Sequence, residues 1–525
     1  MMNTTRSSIK RLSVLTGSLA CLLATAPAAL AAEEASEDTQ TVSPLQPEET
    51  RGKRAVELPP ATQAPQLILT AGHVMTADGE THSPGYVILR NGRIDAVGAG
   101  TPENPDGLAI YDFPKGTITP GIIDTHSHLG VYPSPWARAH SDGNEATSPT
   151  TPGVWAEHSV WPQDPGFQRA IAGGVTAMQI LPGSANLIGG RGVIIQNVPT
   201  RGSRAMRFPG APETIKMACG ENPKRVYGGK GGTPSTRMGN LRGQRQAFLD
   251  AEAYLRTWEE YDETRQKAGD ALPEAIQRKI ERLGLDPEEF TPSFWDRFRF
   301  GDEVFEKSDK EDEAGDPPSR DLNLETLAGV IRGDILPHIH CYRADDMLSM
   351  LQVADEFGWQ VRSFHHALEA YKIRDILAER DVAASTWADW WGFKMEAYDG
   401  IPTNAALLAD AGGRAIIHSD SAMDIQRLNQ EAAKAYQAGI QGGLKLSEEE
   451  AIRWITINPA WSLGIDDQTG SLTPGKRADV VVWDGHPFSV YSRAHWVFVE
   501  GRLRWDVSQT QPVWSDFQVG QERVQ

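Results

Sequence analysis

His126 and His128 stand two residues apart at the end of a largely apolar run, Ile118-Thr119-Pro120-Gly121-Ile122-Ile123-Asp124-Thr125-His126-Ser127-His128. Residues two apart on a strand project to the same face, so both imidazoles aim at one point. Two neutral imidazoles held that way form a chelating arm for a transition metal such as Zn²⁺. An isolated His-x-His is more often a pair of surface histidines. Here the preceding Pro-Gly and the apolar Ile122-Ile123-Asp124 strand point to a buried strand end instead.

Further residues of metal-binding type close other apolar runs. Lys216 lies in Thr214-Ile215-Lys216-Met217, with Glu221 just beyond it in Cys219-Gly220-Glu221-Asn222-Pro223. His338 and His340 end Ile335-Leu336-Pro337-His338-Ile339-His340, His365 and His366 end the run from Gln360, and Asp420 ends the run from Ala415. Apolar strands alternating with helix-like segments point to an α/β fold, a (β/α)8 TIM-like barrel, in which side chains at the C-terminal strand ends converge on one site. One strand-end histidine is usually structural; ligand types at five strand ends are a much stronger signal. No rival chemistry competes, since the Gly189-Gly190-Arg191-Gly192 run lacks the Lys-Ser/Thr ending of a phosphate loop.

The barrel is expected over residues 119–467, carrying a charged helical insertion at 244–320 with helices around Ala247–Gln266 and Pro273–Leu283 and a solvated loop at Asp309–Pro318. Short strands precede it, at Leu67–Leu69, Tyr86–Leu89 and Ile94–Val97, with Asn91-Gly92 as a hairpin signal. A strand at Gly475–Asp484 and a hairpin at Val497–Arg502 follow it. Neither end has strands enough for a stable sheet of its own, so residues 65–118 and 468–510 are expected to pair into one small β-sandwich.

Arg6, Lys10 and Arg11 precede an apolar stretch from Leu12 to Leu30 that ends in Ala29-Leu30-Ala31. A basic head, an apolar middle and a small-x-small end describe a signal peptide, residues 1–31, cleaved after Ala31 or Ala32 to give a periplasmic or secreted protein. Cys21 leaves a lipoprotein as the alternative. Residues 32–64, acidic and rich in Pro, Thr and Gln, read as a flexible linker. Removing the first 31 residues, with three basic and no acidic side chains, takes the net charge from −19 to −22. That acidity argues against nucleic acid or an anionic membrane as partner and leaves a small-molecule substrate. Only Cys219 and Cys341 remain, too few for a stapled scaffold, and the expectation is two buried thiols.

The phrase Thr119-Pro120-Gly121-Ile122-Ile123-Asp124-Thr125-His126-Ser127-His128 resembles the first-strand signature of the amidohydrolase superfamily. The resemblance covers about residues 65 to 505 apart from the insertion, and is similar to the imidazolonepropionase-like branch, in an exported member. It is specific at the strand ends, at Asn458-Pro459-Ala460 and at Pro474-Gly475-Lys476-Arg477-Ala478-Asp479. It implies that His126 and His128 hold the more buried of two Zn²⁺ ions and that carboxylated Lys216 bridges them, with Glu221 as the rival carboxylate. His340 would bind the second metal, with His338 weaker, and His366 serves strand six, with His365 as alternative. Asp420 would touch metal and shuttle a proton during hydrolysis of an amide or cyclic amide by metal-activated water. Arg225, Tyr227 and Arg343 are candidate substrate contacts, and Trp387, Trp390 and Trp391 candidate pocket walls. A mononuclear deaminase, an exported metallo-dipeptidase and a non-catalytic binding protein are the alternatives. Two departures bear on the substrate: His365 replaces the common acid before the strand-six histidine, and the insertion is unusual.

Overall fold

Strand β5, Ala109–Pro120, and strand β15, Val480–Trp483, tie the two ends of the chain together, pairing antiparallel from Thr117 opposite Trp483 to Pro120 opposite Val480. The computed structural model describes residues 64–268, 280–281 and 316–509, apart from 135, 199 and 391. The expected leader at 1–31, nearly all of the linker at 32–64, most of the Pro273–Leu283 and Asp309–Pro318 stretches, and Trp391 lie outside the described residues.

The first sheet runs in the order β17-β16-β15-β5-β1-β3-β4. Its other members are β1 (Leu67–Met75), β3 (Gly85–Arg90), β4 (Arg93–Ala99), β16 (Ala494–Val499) and β17 (Arg502–Asp506), with β2 (Thr81–His82) added beside β1. Period-two alternation sends Leu67, Leu69, Val87, Leu89, Ile118, Val480, Val482 and Phe498 into one buried cluster. The Asn91-Gly92 hairpin is present, both residues at positive φ (50° and 76°) as a two-residue turn of this type requires. The segment before β15 also reaches the β3–β4 hairpin: Ala478 N donates to Gly92 O at 2.9 Å and Ile94 N to Lys476 O at 2.9 Å.

The middle of the chain forms a TIM-barrel-like α/β fold. Strands β10 (Glu213–Ala218), β11 (Ile335–Cys341), β12 (Ser363–His366), β13 (Ala383–Thr386) and β14 (Ala415–Ile417) are parallel neighbours, as are β6 (Ile122–Ser127) and β7 (Val175–Ile180). A regular all-parallel barrel is not what forms. Between β7 and β10 the chain places β8 (Ile188–Arg191) and β9 (Val193–Gln196), which pair antiparallel with β10 and β7 respectively. The glycine run is the reason. Gly190 sits at φ 114°, and a Cβ there would lie 2.5 Å from Val154 O, so only glycine follows this path. Asp420 N donates to His126 O at 2.9 Å, joining the segment after β14 to β6.

After β10 and a short helix over Glu221–Gly228, a long helix covers Arg237–Ala268, starting ahead of the expected boundary at 244. It buries Phe248, Ala251 and Trp258, and Phe248 stacks on Trp359 with ring centroids 5.0 Å apart. Among the described residues no helix is long and apolar enough to cross a membrane.

The expectation of two free thiols is corrected. Cys219 and Cys341 are joined by a disulfide, their Cα atoms 5.3 Å apart. The cause is strand register: Ala218 stands opposite His340 in the parallel β10–β11 pair, which brings the next residue of each strand side by side.

Candidate metal centre

All six residues of β6 are buried, and the strand ends by turning His126 into the barrel. Asp124 anchors that end. Its Oδ1 accepts from His126 N and Ser419 N, both at 3.1 Å, and its Oδ2 accepts from the Ser419 hydroxyl. Burial pushes the Asp124 carboxyl up to about 6 against those hydrogen bonds. The sequence reading named Asp124 only as part of a strand. Its short polar partner Ser419, directly before Asp420 just past the end of β14, is the signal that was available.

His128 Nδ1–H donates to Leu181 O at 2.8 Å, which leaves Nε2 for the site. That Nε2 lies 3.3 Å from His126 Nε2 and 3.1 Å from Asp420 Oδ1. His126 Nε2 is also 3.2 Å from Lys216 Nζ and 3.7 Å from Asp420 Oδ1. Lys216 is 1% exposed and donates to Pro182 O at 3.1 Å. Burial lowers its ammonium to about 7, with the negative charge of Asp420 opposing.

His340 and His366 complete the cluster, with ring centroids 4.4 Å apart. His366 adopts φ 70° and Ala367 φ 36°, left-handed backbone that a side chain pays strain to occupy. This twist lets both adjacent residues of β12, His365 and His366, approach His126, with centroids 4.8 Å away in each case. They therefore do not divide between opposite faces as a regular strand would dictate. Asp420, also at positive φ (47°), places Oδ2 3.8 Å from His366 Nδ1.

One member was not anticipated. His418 is buried against His126, His366 and Trp387, and groups with His126 and His366 as a set of potential metal-binding nitrogens, beside the set His126, His128 and Asp420. His418 and Asp420 lie two apart at a strand end, the same spacing that singled out His126 and His128.

The electrostatics suit a cation. Burial holds His126, His340 and His366 well below the ordinary imidazole range, helped by the charge of Lys216 on His126 and of Lys394 on His340 and by the neighbouring His340 ring on His366. Burial alone would raise Asp420, but the hydrogen bond and charge of His128 bring it below the usual carboxylate value. The rings of His126, His340 and His366 are neutral and the carboxylate ionised, the protonation states that metal binding requires. Buried His340 Nδ1, His366 Nδ1 and both nitrogens of His418 have no hydrogen-bond partner. Orphaned buried nitrogens are costly, and a metal ion would satisfy them, so the residues present fit the group.

The remaining sequence candidates stand apart. Glu221 opens the helix Glu221–Gly228, and its Oε1 lies 3.6 Å from Lys394 Nζ. Tyr227 donates its hydroxyl to Ser148 O at 2.7 Å. Arg225 is exposed on the same helix. Arg343 forks onto Asp345 at 2.8 and 2.7 Å. His338 is buried one pleat below His340 and touches His365. Trp387 and Tyr342 each stack against His366 and lie against one another, with centroids 6.3 Å apart, and Trp390 stacks on Trp387.

Residues 395–506 match the profile described as the Amidohydrolase family. The chain is 32% identical over 438 residues to "Amidohydrolase tasK" of Hapsidospora irregularis, a match that covers 80% of this chain and 40% of that protein. Forty residues are 52% identical to an imidazolonepropionase of Shewanella frigidimarina, 8% of this chain and 10% of that one. The chain thus spans well under half the length of these curated relatives. The crystal structure of an amidohydrolase from Thermotoga maritima superposes with a TM-score of 0.67 at 31% identity, covering 84% of this chain and 100% of that one.

Proposed function

Because the chain belongs to the amidohydrolase superfamily, we propose that it is a metal-dependent hydrolase of carbon–nitrogen bonds in amides or cyclic amides. One observation carries this reading: His126 Nε2, His128 Nε2 and Asp420 Oδ1, from opposite ends of the barrel sequence, lie within 4.8 Å of one another in the cluster that Lys216 also enters. We assign His126 and His128 to one Zn²⁺, His340 and His366 to a second, and Lys216 to the bridge. His418 is an additional nitrogen donor beside His126 and His366.

Zn²⁺ bound there would polarise a carbonyl and make water acidic near neutral pH. Asp420 then serves as the proton carrier, taking a proton from the attacking water and delivering it to the leaving nitrogen. Lys216, with its amine near 7, supplies a neutral nitrogen whose lone pair can add to CO₂ and release a proton, leaving a carbamate with two metal-binding oxygens. Tyr342, Trp387 and Trp390 wall the His366 side and limit water there.

In the same reading, residues 65–118 and 468–510 form one small β-sandwich, supported by their single buried cluster and by the contact between Gly92 and Ala478. Export after cleavage of residues 1–31 is supported by the Cys219–Cys341 bond, since disulfides persist in oxidising compartments. N-terminal sequencing of protein from periplasm or medium should begin at Ala32 or Glu33.

The test is metal analysis of native protein combined with a panel of cyclic amides, N-acyl amino acids and dipeptides. Two metal equivalents and hydrolysis of one class support the proposal. One equivalent with no hydrolysis of any of these classes would favour a mononuclear deaminase, and no metal at all would overturn the reading.

A further inference from the structure

Beneath the candidate ligands, three imidazoles form an unbranched chain. His126 Nδ1 stands 2.9 Å from His365 Nδ1, and His365 Nε2 stands 2.9 Å from His338 Nδ1. The three rings come from β6, β12 and β11, and all are 0% exposed. Neither His365 nor His338 belongs to the groups of converging metal-binding atoms. His338 lies one pleat deeper than His340, opposite Lys216 and Ser363 in register, and His365 stands opposite His340.

A hydrogen bond between two neutral imidazoles needs a proton on one nitrogen and a lone pair on the other. The chain therefore has two polarities. In one, His126 carries its proton on Nδ1 and donates to His365 Nδ1; His365 then carries its proton on Nε2 and donates to His338 Nδ1. In the other, every proton moves to the opposite nitrogen, and His126 holds a proton on Nε2, the atom turned toward His128, Asp420 and Lys216. Only the first leaves that nitrogen free for a metal.

We propose that His365 and His338 are positioning residues that orient the His126 ring, with His365 accepting from His126 Nδ1–H, so that Nε2 presents its lone pair to the metal. The proposal rests on the metal-hydrolase reading above. It gives a role to the histidine that stands where the superfamily resemblance leads one to expect an acid: a neutral acceptor holds His126 in place without burying a further charge, and passes the hydrogen bond on to His338. Partners of this kind behind a ligating histidine set ring orientation and basicity, and their loss typically weakens metal binding about 10–100-fold.

Chelator-stripped full-length protein, titrated with Zn²⁺ and with Co²⁺ alone in competition with a chelating dye, tests this. His365→Phe should bind about 10–100-fold more weakly than wild type with a changed Co²⁺ absorption spectrum. His365→Asn, whose side-chain oxygen can accept from His126 Nδ1, should recover most of the affinity, and His338→Phe should fall between. Nitrogen-15 spectra of histidine-labelled wild-type protein, which need no substitution, should place the His126 proton on Nδ1. The proposal is overturned if His365→Phe binds within twofold of wild type, if His365→Asn binds no better than His365→Phe, or if the His126 proton lies on Nε2. A wild-type protein that takes up no metal would instead sink the underlying hydrolase reading.

Discussion

Cys341 follows His340 directly in β11 and is bonded to Cys219, one residue past the end of β10, so a covalent link joins the strand ends that carry His340 and Lys216. The bond closes a loop with a sequence separation of 122 residues. Loops of that size constrain the unfolded chain strongly, and losing a native disulfide typically costs about 2–5 kcal/mol. The Cys219→Ser, Cys341→Ser double variant should therefore lose about that much in denaturant titration, and should bind metal more weakly because β10 and β11 are freed to shift. A variant as stable as wild type and equally rich in metal would show that the bond does neither.

Asp420→Asn should keep most of the metal while losing about 10²–10⁴-fold in rate, the usual worth of one acid–base group. The amide keeps an oxygen toward His128 but cannot accept the proton that hydrolysis must move. Activity within a few-fold of wild type, measured at equal metal content, would place the proton carrier elsewhere.

Glu449 gives a pH dependence away from the metal centre. Its carboxylate accepts from Gly79 N and Thr81 Oγ1, both at 3.3 Å, yet burial wins and raises its pKa from 4.5 to about 7. The folded state thus holds this proton more tightly than the unfolded state. Its stabilising contribution is full below about 4.5 and is lost as pH rises through about 7. Glu449→Gln should remove that component, so the thermal midpoint of the variant should gain on wild type steadily between pH 5 and 8. A midpoint difference that stays constant across that range would show that Glu449 does not titrate there.

Much of the centre was legible because a barrel needs little more than strand ends to place a site. His126, His128, Lys216, His340, His366 and Asp420 each close an apolar run, and the fold brings all of those strand ends to one side. What escaped the sequence depends on backbone detail that periodicity does not encode. The positive φ of His366 puts two neighbouring histidines on one side, where alternation assigns them to opposite faces. The antiparallel β8 and β9 follow from glycines that also match loop chemistry. The Cys219–Cys341 bond depends on the register between two strands more than a hundred residues apart in sequence. Arg343 stands just past a strand end as a substrate contact would, but Asp345, two residues on, captures its guanidinium.

Lys216 and Glu221 offer the sharpest choice. Lys216 is buried with Nζ 3.2 Å from His126 Nε2, whereas Glu221 starts a helix and its Oε1 lies 3.6 Å from Lys394 Nζ. If a carbamate on Lys216 bridges the metals, Lys216→Ala should lower metal content and activity together. Added short-chain carboxylic acids should then restore part of both, by filling the place of the missing carbamate. Glu221→Gln should be much milder for metal content, since its carboxylate faces Lys394 and not the His126 cluster. Measured metal stoichiometry and turnover, with and without added acetate or propionate, decide the matter. Reversed severities, with no rescue of Lys216→Ala, would move the bridging role to Glu221.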